Sequence, residues 1–485
     1  MLASAVRRLA GSSALLARPF SAVPAERYVE ELFVGTDAKS TIIVQPRERT
    51  YGPHETLDPK EVCGADREAE SMHVDHVAVV RRPFLCDGET PPSLYSAMRQ
   101  VKPGHMAVDS AVCRPENQIC LDVYERTAAG RFSLIDAARP LFSYFKERGI
   151  QTHLTPNVAD FKAPTHDARQ STNHVLMMSP TAFTFNAEAA EDNSFMHDKV
   201  GGQLCTIEVR GKVLREYANY IHELTHNAGV DVHLFEYSTG MNTPDAVFPN
   251  NWFSTHAAEE AGGSTKERTL VLYPMKCPNR QAERRKDVID HLLHVGKYTH
   301  VLDLSGEHAH HRYFEGTGSL VLDRPRGVAY VAISERSHED IARRWAAQLG
   351  YHDVVLFHST DQDGNPVYHT NVMMAVGTGV AVVCSESVAD TAERENLLNH
   401  LGRHHEIVDI TREQMNHLCG NVLELRNRDD LPIMAMSTQA YNAFTEEQRA
   451  AILRHTAAIH HSPVDTLEWI GGGGVRCTLG EIMMP

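Results

Sequence analysis

Residues able to do chemistry gather in the last third of the sequence. Cys477 follows four consecutive glycines, Gly471 to Gly474, and stands directly after Arg476. Glycines let a backbone pass close to another surface or ligand, and a neighbouring guanidinium favours the thiolate, the nucleophilic form of cysteine. Such a nucleophile also needs a proton shuttle and an orienting carboxylate. Two segments carry those residue types: Tyr368-His369-Thr370-Asn371, after the turn-forming run Asp361 to Pro366, and Phe314-Glu315-Gly316-Thr317-Gly318-Ser319. A third run, Pro244 to Trp252, sets Asp245, Asn250 and Asn251 among aromatic residues around Pro249. Taken singly, each reads equally well as a structural turn, and Cys477 as a buried structural thiol. Arg312, Arg324 and Arg476 are candidate partners for a substrate carboxylate, with ion pairing as the competing role for the first two.

One motif is set aside. His222-Glu223-Leu224-Thr225-His226 has the spacing of a helical zinc site, two histidines one turn apart with a glutamate between them. Val213, Tyr217, Ile221 and Leu224 form the apolar stripe of that helix, and at about 100° per residue both histidines fall mainly on the opposite side. In a chain with 29 histidines such a pentapeptide arises by coincidence. His308, His310 and His311 are read as loop histidines. No metal and no cofactor is expected.

Together and in this order, the segments resemble the pentein superfamily of arginine deiminases, dimethylarginine hydrolases and amidinotransferases, most closely the amidinotransferase-like branch that includes citrulline hydrolases. The resemblance runs from Leu176 to the C-terminus. It is carried by PDAVFPNNW (Pro244 to Trp252), YPM (Tyr273 to Met275), ERR (Glu283 to Arg285), FEGTGSLVLDR (Phe314 to Arg324), YHTNVMM (Tyr368 to Met374), Gly420-Asn421 and Arg476-Cys477. It implies Cys477 as nucleophile, His369 as general acid and base, and Glu315 as the carboxylate that holds the histidine and the substrate's terminal nitrogen. Asp245, Asn250, Asn251, Asn371 and Arg476 are the implied substrate contacts. Guanidine-modifying penteins clamp their cation with two further aspartates, and the matching positions here are Asn251 and Asn371. A guanidinium offers only donors and a positive charge, which suits carboxylates, whereas a neutral ureido group also presents a carbonyl acceptor, which suits an amide. The resemblance therefore implies a hydrolase of citrulline or a related ureido compound, giving ornithine, ammonia and carbon dioxide. Two alternatives stand beside it: a deiminase or amidinotransferase acting on a guanidino substrate through Asp245, and a non-catalytic pentein subunit of a mitochondrial complex.

The elements that must position these residues alternate. From about residue 174 onwards, strand-like runs (175–178, 230–234, 270–273, 319–322, 328–332, 354–357, 371–376, 380–384) alternate with helical ones (213–226, 337–349, 387–402, 445–460), which indicates an α/β architecture. Adjacent runs such as 319–322 and 328–332, joined across Pro325 and Gly327, predict antiparallel pairs and so a mixed sheet. The resemblance implies five ββαβ units arranged as an α/β propeller, residues 174–485 forming one catalytic domain. Residues 21–173 form a small α/β extension of unknown role, with strand-like runs at 41–44, 77–80, 119–124 and 150–154, a helix predicted near 133–148, and a polar linker from Lys162 to Asn173.

The whole chain of 485 residues is 42% apolar and 23% charged, the composition of a globular protein. Its net charge of −16 repels phosphate, so nucleic acid is not an expected partner, and no apolar run is long enough for a membrane span. Nine cysteines without paired close spacing argue against a disulfide framework. Residues 1–20 carry Arg7, Arg8, Arg18 and several serines but no acid, the make-up of a mitochondrial transit peptide cut after Phe20. The matrix is the expected compartment, a plastid the second. Beyond a small-molecule ureido or guanidino substrate, a homo-oligomer or a mitochondrial complex assembled through residues 26–165 is the expected association.

Overall fold

The computed structural model describes residues 28–35, 40–46, 56–57, 74–81, 94–164, 168–200, 203–204, 207–237 and 240–485; the expected transit peptide lies outside them. Two compact units divide the chain between Ala163 and Pro164, with Asp429–Leu431 grouped with the first. The division falls within the expected linker, but the end of that stretch is framework of the second unit. Gln170 Nε2 donates to the carbonyls of Leu322 and Val376 at 2.7 and 2.9 Å, and Ser171 Oγ donates to Glu424 at 2.6 Å. Polar side chains of this kind are buried when backbone and carboxylate acceptors satisfy them.

The first unit contains a six-stranded sheet in the order Tyr28–Gly35, Ser40–Pro46, His76–Val80, Cys120–Arg126, Phe132–Pro140 and Thr56–Leu57. It also contains a three-stranded sheet of Met98–Lys102, His105–Asp109 and Gln151–Thr155. The helix predicted near 133–148 is half wrong. Phe132–Pro140 is a strand paired antiparallel with Cys120–Arg126, and the helix spans only Leu141–Glu147. Pro140 has no N–H and would clash with the preceding turn, so a helix starts after it rather than running through it.

The second unit is a mixed α/β body in which one pattern recurs five times among the described residues. Phe253–His256 pairs antiparallel with Thr269–Leu272, which pairs parallel with His300–Asp303 across the helix Lys286–Gly296. Val321–Asp323, Val328–Ala332 and Asp353–Phe357 repeat it around the helix Glu339–Leu349. Met374–Val376, Val380–Val383 and Glu406–Asp409 do so around Thr391–Gly402. Leu423–Arg426, Pro432–Ser437 and Ile459–Ser462 follow, with the helices Thr438–Ala443 and Glu446–Leu453 between the last two. In the remaining sheet the late strand Gly480–Glu481 pairs antiparallel with His174–Met178, which runs parallel to Asp231–Phe235 beyond the helix Ile207–His222. The helix expected at 445–460 is thus a shorter helix followed by a strand, whose backbone bonds are taken by Pro432–Ser437.

The middle strand of each sheet is covered on both faces. Val380–Val383 and Thr269–Leu272 are buried throughout, which is why they read as continuous apolar runs rather than as alternating ones. The crossover helices bury one stripe: Glu339–Leu349 turns Ile341, Ala342, Trp345, Ala346 and Leu349 inward and ends on Gly350 at φ 78°, a left-handed cap that glycine adopts without strain.

Candidate active site

The candidate residues lie on short turns, and each turn leads directly into the first strand of one of the five sheets. Pro249–Asn251 precedes Phe253–His256, Gly316–Ser319 precedes Val321–Asp323, Thr370–Met373 precedes Met374–Val376, and Val475–Thr478 precedes Gly480–Glu481. Gly420 and Asn421 stand in the same place before Leu423–Arg426. Several of these turns touch one another, so a repeated position in sequence becomes one cluster in space. Two glycines make the approach feasible. Gly316 has φ 49°, and a Cβ on it would lie 2.4 Å from the Asn250 carbonyl oxygen. A Cβ on Gly318 would lie 2.4 Å from Asn251 Nδ2 and 2.8 Å from the His369 ring.

His369 and Glu315 meet in the interior. His369 Nε2 is 2.9 Å from Glu315 Oε2, the Lys276 backbone N–H donates to Oε1 at 2.8 Å, and Arg336 Nη1 stands 3.5 Å from Oε2. Burial pushes the Glu315 carboxyl up, but the Arg336 charge and the bonded histidine outweigh it and hold the group well below the usual carboxylate range. An ionised carboxylate only accepts, so the proton of His369 lies on Nε2 and Nδ1 carries the lone pair. Burial lowers the His369 value against the raising effect of Glu315, which leaves the imidazole neutral and basic at Nδ1. Arg336 is in turn held by Asp192, with Nε donating to Oδ2 at 3.1 Å, and by the Ala189 carbonyl at 2.8 Å.

Cys477 is 3% exposed, and its sulfur is cradled by two amides: Asn421 Nδ2 donates to Sγ at 3.2 Å and Asn371 Nδ2 at 3.7 Å. Asn421 Nδ2 also donates to the Asn371 carbonyl at 2.9 Å, fixing one amide residue on the other. Burial raises the thiol above its ordinary value, while Asn421, Arg476 and Asn371 each favour the thiolate. The resting nucleophile is therefore a thiol, not a preformed thiolate.

A second polar group is built from Asp245, Asn250, Asn251 and Arg280. Asn251 Oδ1 accepts from Arg280 Nη1 at 2.9 Å, and its Nδ2 is buried without a partner. Asn250 is fully buried with both amide atoms unpartnered, and Asn371 Oδ1 is likewise unpartnered. Asp245 Oδ2 accepts from Asn186 Nδ2 at 2.7 Å while Oδ1 has no partner, and burial raises its carboxyl. Buried polar atoms are nearly always bonded, so this concentration of open donors and acceptors marks a place made for a polar ligand.

Arg476 departs from the expectation. Its guanidinium turns to Glu481 at 2.9 Å and to the Leu479 carbonyl at 3.1 Å, and it lines a cavity of about 30 Å³ with Gln170, Arg324, Glu424 and Glu481. These two bonds tie it to its own C-terminal segment, and its charge favours the Cys477 thiolate. Arg324 pairs with Glu260 at 3.1 Å, and Arg312 pairs with Asp340 at 3.1 Å, so neither is offered to a ligand. His222 and His226 are exposed and stack on each other, ring centroids 4.3 Å apart, and no metal-holding cluster occurs among the described residues. Motif reading quoted Gly420-Asn421 without giving Asn421 a role, and it missed Arg280 and Arg336 as members of the site. The place of Asn421 was readable from the repeat, as the residue entering a first strand; the two arginines leave no such signal.

Residues 179–484, well over half of the chain, match the family described as eukaryotic N,N-dimethylarginine dimethylhydrolase. The chain belongs to this family. It is accordingly a pentein. No curated protein matches it. Among solved structures it is similar to apo ArgZ, an arginine dihydrolase of the ornithine–ammonia cycle in cyanobacteria, at 16% identity and TM-score 0.48, covering 64% of this chain and 41% of that one. This chain thus spans about two fifths of the full ArgZ chain. Unliganded AgrE is similar at 16% identity and TM-score 0.49, over 64% of this chain and 39% of that one. A dimethylarginine dimethylaminohydrolase adduct with S-methyl-L-thiocitrulline is similar at 15% identity and TM-score 0.42, over 64% and 98%.

Proposed function

We propose that this dimethylhydrolase-family pentein is a cysteine-dependent hydrolase of a ureido C–N bond, converting citrulline to ornithine, ammonia and carbon dioxide. The observation that carries the reading is the polarity around the thiol. Where the resemblance puts two guanidinium-clamping aspartates there are Asn251 and Asn371, and the cation Arg280 stands directly behind the first. A buried guanidinium facing amides and an arginine is poorly compensated, whereas a neutral ureido group meets donors for its oxygen and acceptors for its N–H groups. The raised carboxyl of Asp245 fits the same preference, because its protonated form both donates and accepts.

On this reading Cys477 Sγ adds to the ureido carbon as its proton passes to His369 Nδ1. Amide N–H groups of Asn251 and Asn371 receive the developing oxyanion, and Glu315 stabilises the imidazolium. His369 then returns the proton to the departing nitrogen, and the C–N bond breaks. Neutral again, it takes a proton from water, whose oxygen adds to the thioester-like carbon, and the C–S bond breaks to release the thiol. Hydrolysis releases a carbamic acid, whose remaining C–N bond then breaks in solution as its O–H proton passes to the nitrogen, so that whichever nitrogen departs first, one water and one citrulline balance one ornithine, one ammonia and one carbon dioxide.

A guanidino substrate is the second reading, favoured by the family match and by the unpartnered Asp245 Oδ1. Incubation with citrulline, arginine and dimethylarginine separates the two: ornithine from citrulline supports the first, and citrulline from arginine or dimethylarginine replaces it with the second. The absence of product from all three supports the non-catalytic alternative. We also propose that the five repeated sheets are blades of a closed ring, a reading supported by the pairing of Gly480–Glu481 with His174–Met178. The leader composition supports mitochondrial import, tested by cleavage during uptake into isolated mitochondria. Light scattering tests for an oligomer.

A further inference from the structure

Arg280 is a buried cation that the chemistry above does not consume. It is 3% exposed and makes four hydrogen bonds. Glu283 grips it at 2.9 Å on Nε and 3.1 Å on Nη2, the Phe248 carbonyl accepts from Nη2 at 3.0 Å, and Nη1 donates to Asn251 Oδ1 at 2.9 Å. A guanidinium has five donors and no acceptor, so the amide atom facing it has to be the oxygen and Nδ2 has to turn the other way. That other way is the reaction centre, since the space beside Gly318 is 2.4 Å from Asn251 Nδ2 and 2.8 Å from His369 Nδ1. Nδ2 has no partner there.

We propose that Arg280, seated by Glu283, is a specificity-determining positioning residue that locks the Asn251 amide with its NH₂ towards the scissile group. This deepens the ureido reading and rests on it. An asparagine free to rotate would present its oxygen to a guanidinium and its nitrogen to a ureido oxygen with equal ease. Locked, it presents donors only, which bind a carbonyl and leave the all-donor guanidinium facing N–H against N–H. The same arginine behind an aspartate would occupy one carboxylate oxygen and leave the other as an acceptor, the opposite selectivity. The amide at 251 and the cation behind it therefore act as one unit, and either alone is insufficient.

The test is a double-mutant cycle read by calorimetric binding of citrulline and arginine to the full chain carrying Cys477→Ala, which binds without turnover. Arg280→Met is combined with Glu283→Gln, so that no lone buried charge remains, and is measured with and without Asn251→Ala. The parent is expected to prefer citrulline. Loss of the arginine pair and loss of the amide should each reduce that preference about tenfold, the scale of one misdirected buried hydrogen bond, and together they should do no more than either alone. A loss on removing Arg280 that persists at full size in Asn251→Ala means that the arginine acts by charge and overturns the inference. An unchanged preference overturns it as well. A parent that prefers arginine overturns the ureido reading and the inference with it. Should the combined variant not fold, Arg280→Lys keeps the charge and loses the fork: reduced preference at unchanged melting temperature supports the inference, and unchanged preference contradicts it.

Discussion

Gly318→Ala is the smallest change that reaches the centre of the site without replacing a reacting side chain. The added methyl carbon would fall 2.4 Å from Asn251 Nδ2, 2.8 Å from His369 Cε1 and 2.8 Å from His369 Nδ1, against an ordinary contact of about 3.5–4 Å. Something has to move by roughly 1 Å, and neither neighbour is free: Glu315 holds His369 at 2.9 Å and Arg280 holds Asn251 at 2.9 Å. Overpacking of this kind costs about 1–3 kcal/mol of stability, which a domain of this size tolerates. A misplacement of about 1 Å costs about 10²-fold in rate, which the reaction does not. The expected result is a folded protein with a slightly lowered melting temperature and kcat/KM for citrulline reduced about a hundredfold. Gly306→Ala is the control, because nothing lies within 4 Å of a Cβ there, and it should match the wild type. The assay is ornithine release together with thermal denaturation. Activity of Gly318→Ala within twofold of the wild type would refute the placement of Asn251 and His369 on either side of that glycine.

Glu315→Gln removes the charge that supports the imidazolium, and kcat should fall about 10²–10⁴-fold with KM changed far less, measured by steady-state kinetics. Asn421→Ala removes the 3.2 Å donor to Cys477 Sγ, so the pH midpoint of inactivation by iodoacetamide should rise and kcat should drop about tenfold; an unshifted midpoint contradicts the cradle. Burial pushes Glu468 up from 4.5 to about 8. The folded state thus keeps a proton that the unfolded state releases, a contribution fully present below pH 4.5 and lost as pH rises through 8. Glu468→Gln should accordingly lose less stability than the wild type between pH 5 and 9 in chemical denaturation, a difference on the order of 3 kcal/mol. His405 runs the other way. Burial lowers it from 6.5 to about 3, so its contribution is present above pH 6.5 and fades as pH falls towards 3, and His405→Gln should flatten the acid limb of a pH–stability curve.

How much of this was legible from residues alone depended on whether the deciding force was local. The middle strands announced themselves, because burial on both faces demands an unbroken apolar run such as Val380 to Val383. The antiparallel pair around Gly327 was visible as a tight connection. At Phe132–Pro140 the apolar spacing imitated a helix, and only partner strands and the proline settled the matter. The helix run to residue 460 failed for the same reason, since Ile459–Ser462 is a strand only because Pro432–Ser437 offers it an edge. Glu315, His369 and Cys477 could be named as candidates because each lies in a short motif that carries the resemblance. Arg476 could be named too, but adjacency to Cys477 says nothing about where its long side chain goes, and Glu481 takes it. Arg280 and Arg336 lie on segments with no chemical signature and become members of the site through tertiary pairing with Asn251 and Glu315.

The central claim is that a buried cysteine, flanked by amides where carboxylates would hold a cation, cleaves a neutral ureido group. The most direct measurement is product analysis of the full chain incubated separately with citrulline and arginine, with Cys477→Ala alongside. Ornithine from citrulline in large excess over any product from arginine, and none from Cys477→Ala, is the predicted result. Citrulline accumulating from arginine, with citrulline itself left intact, would contradict it.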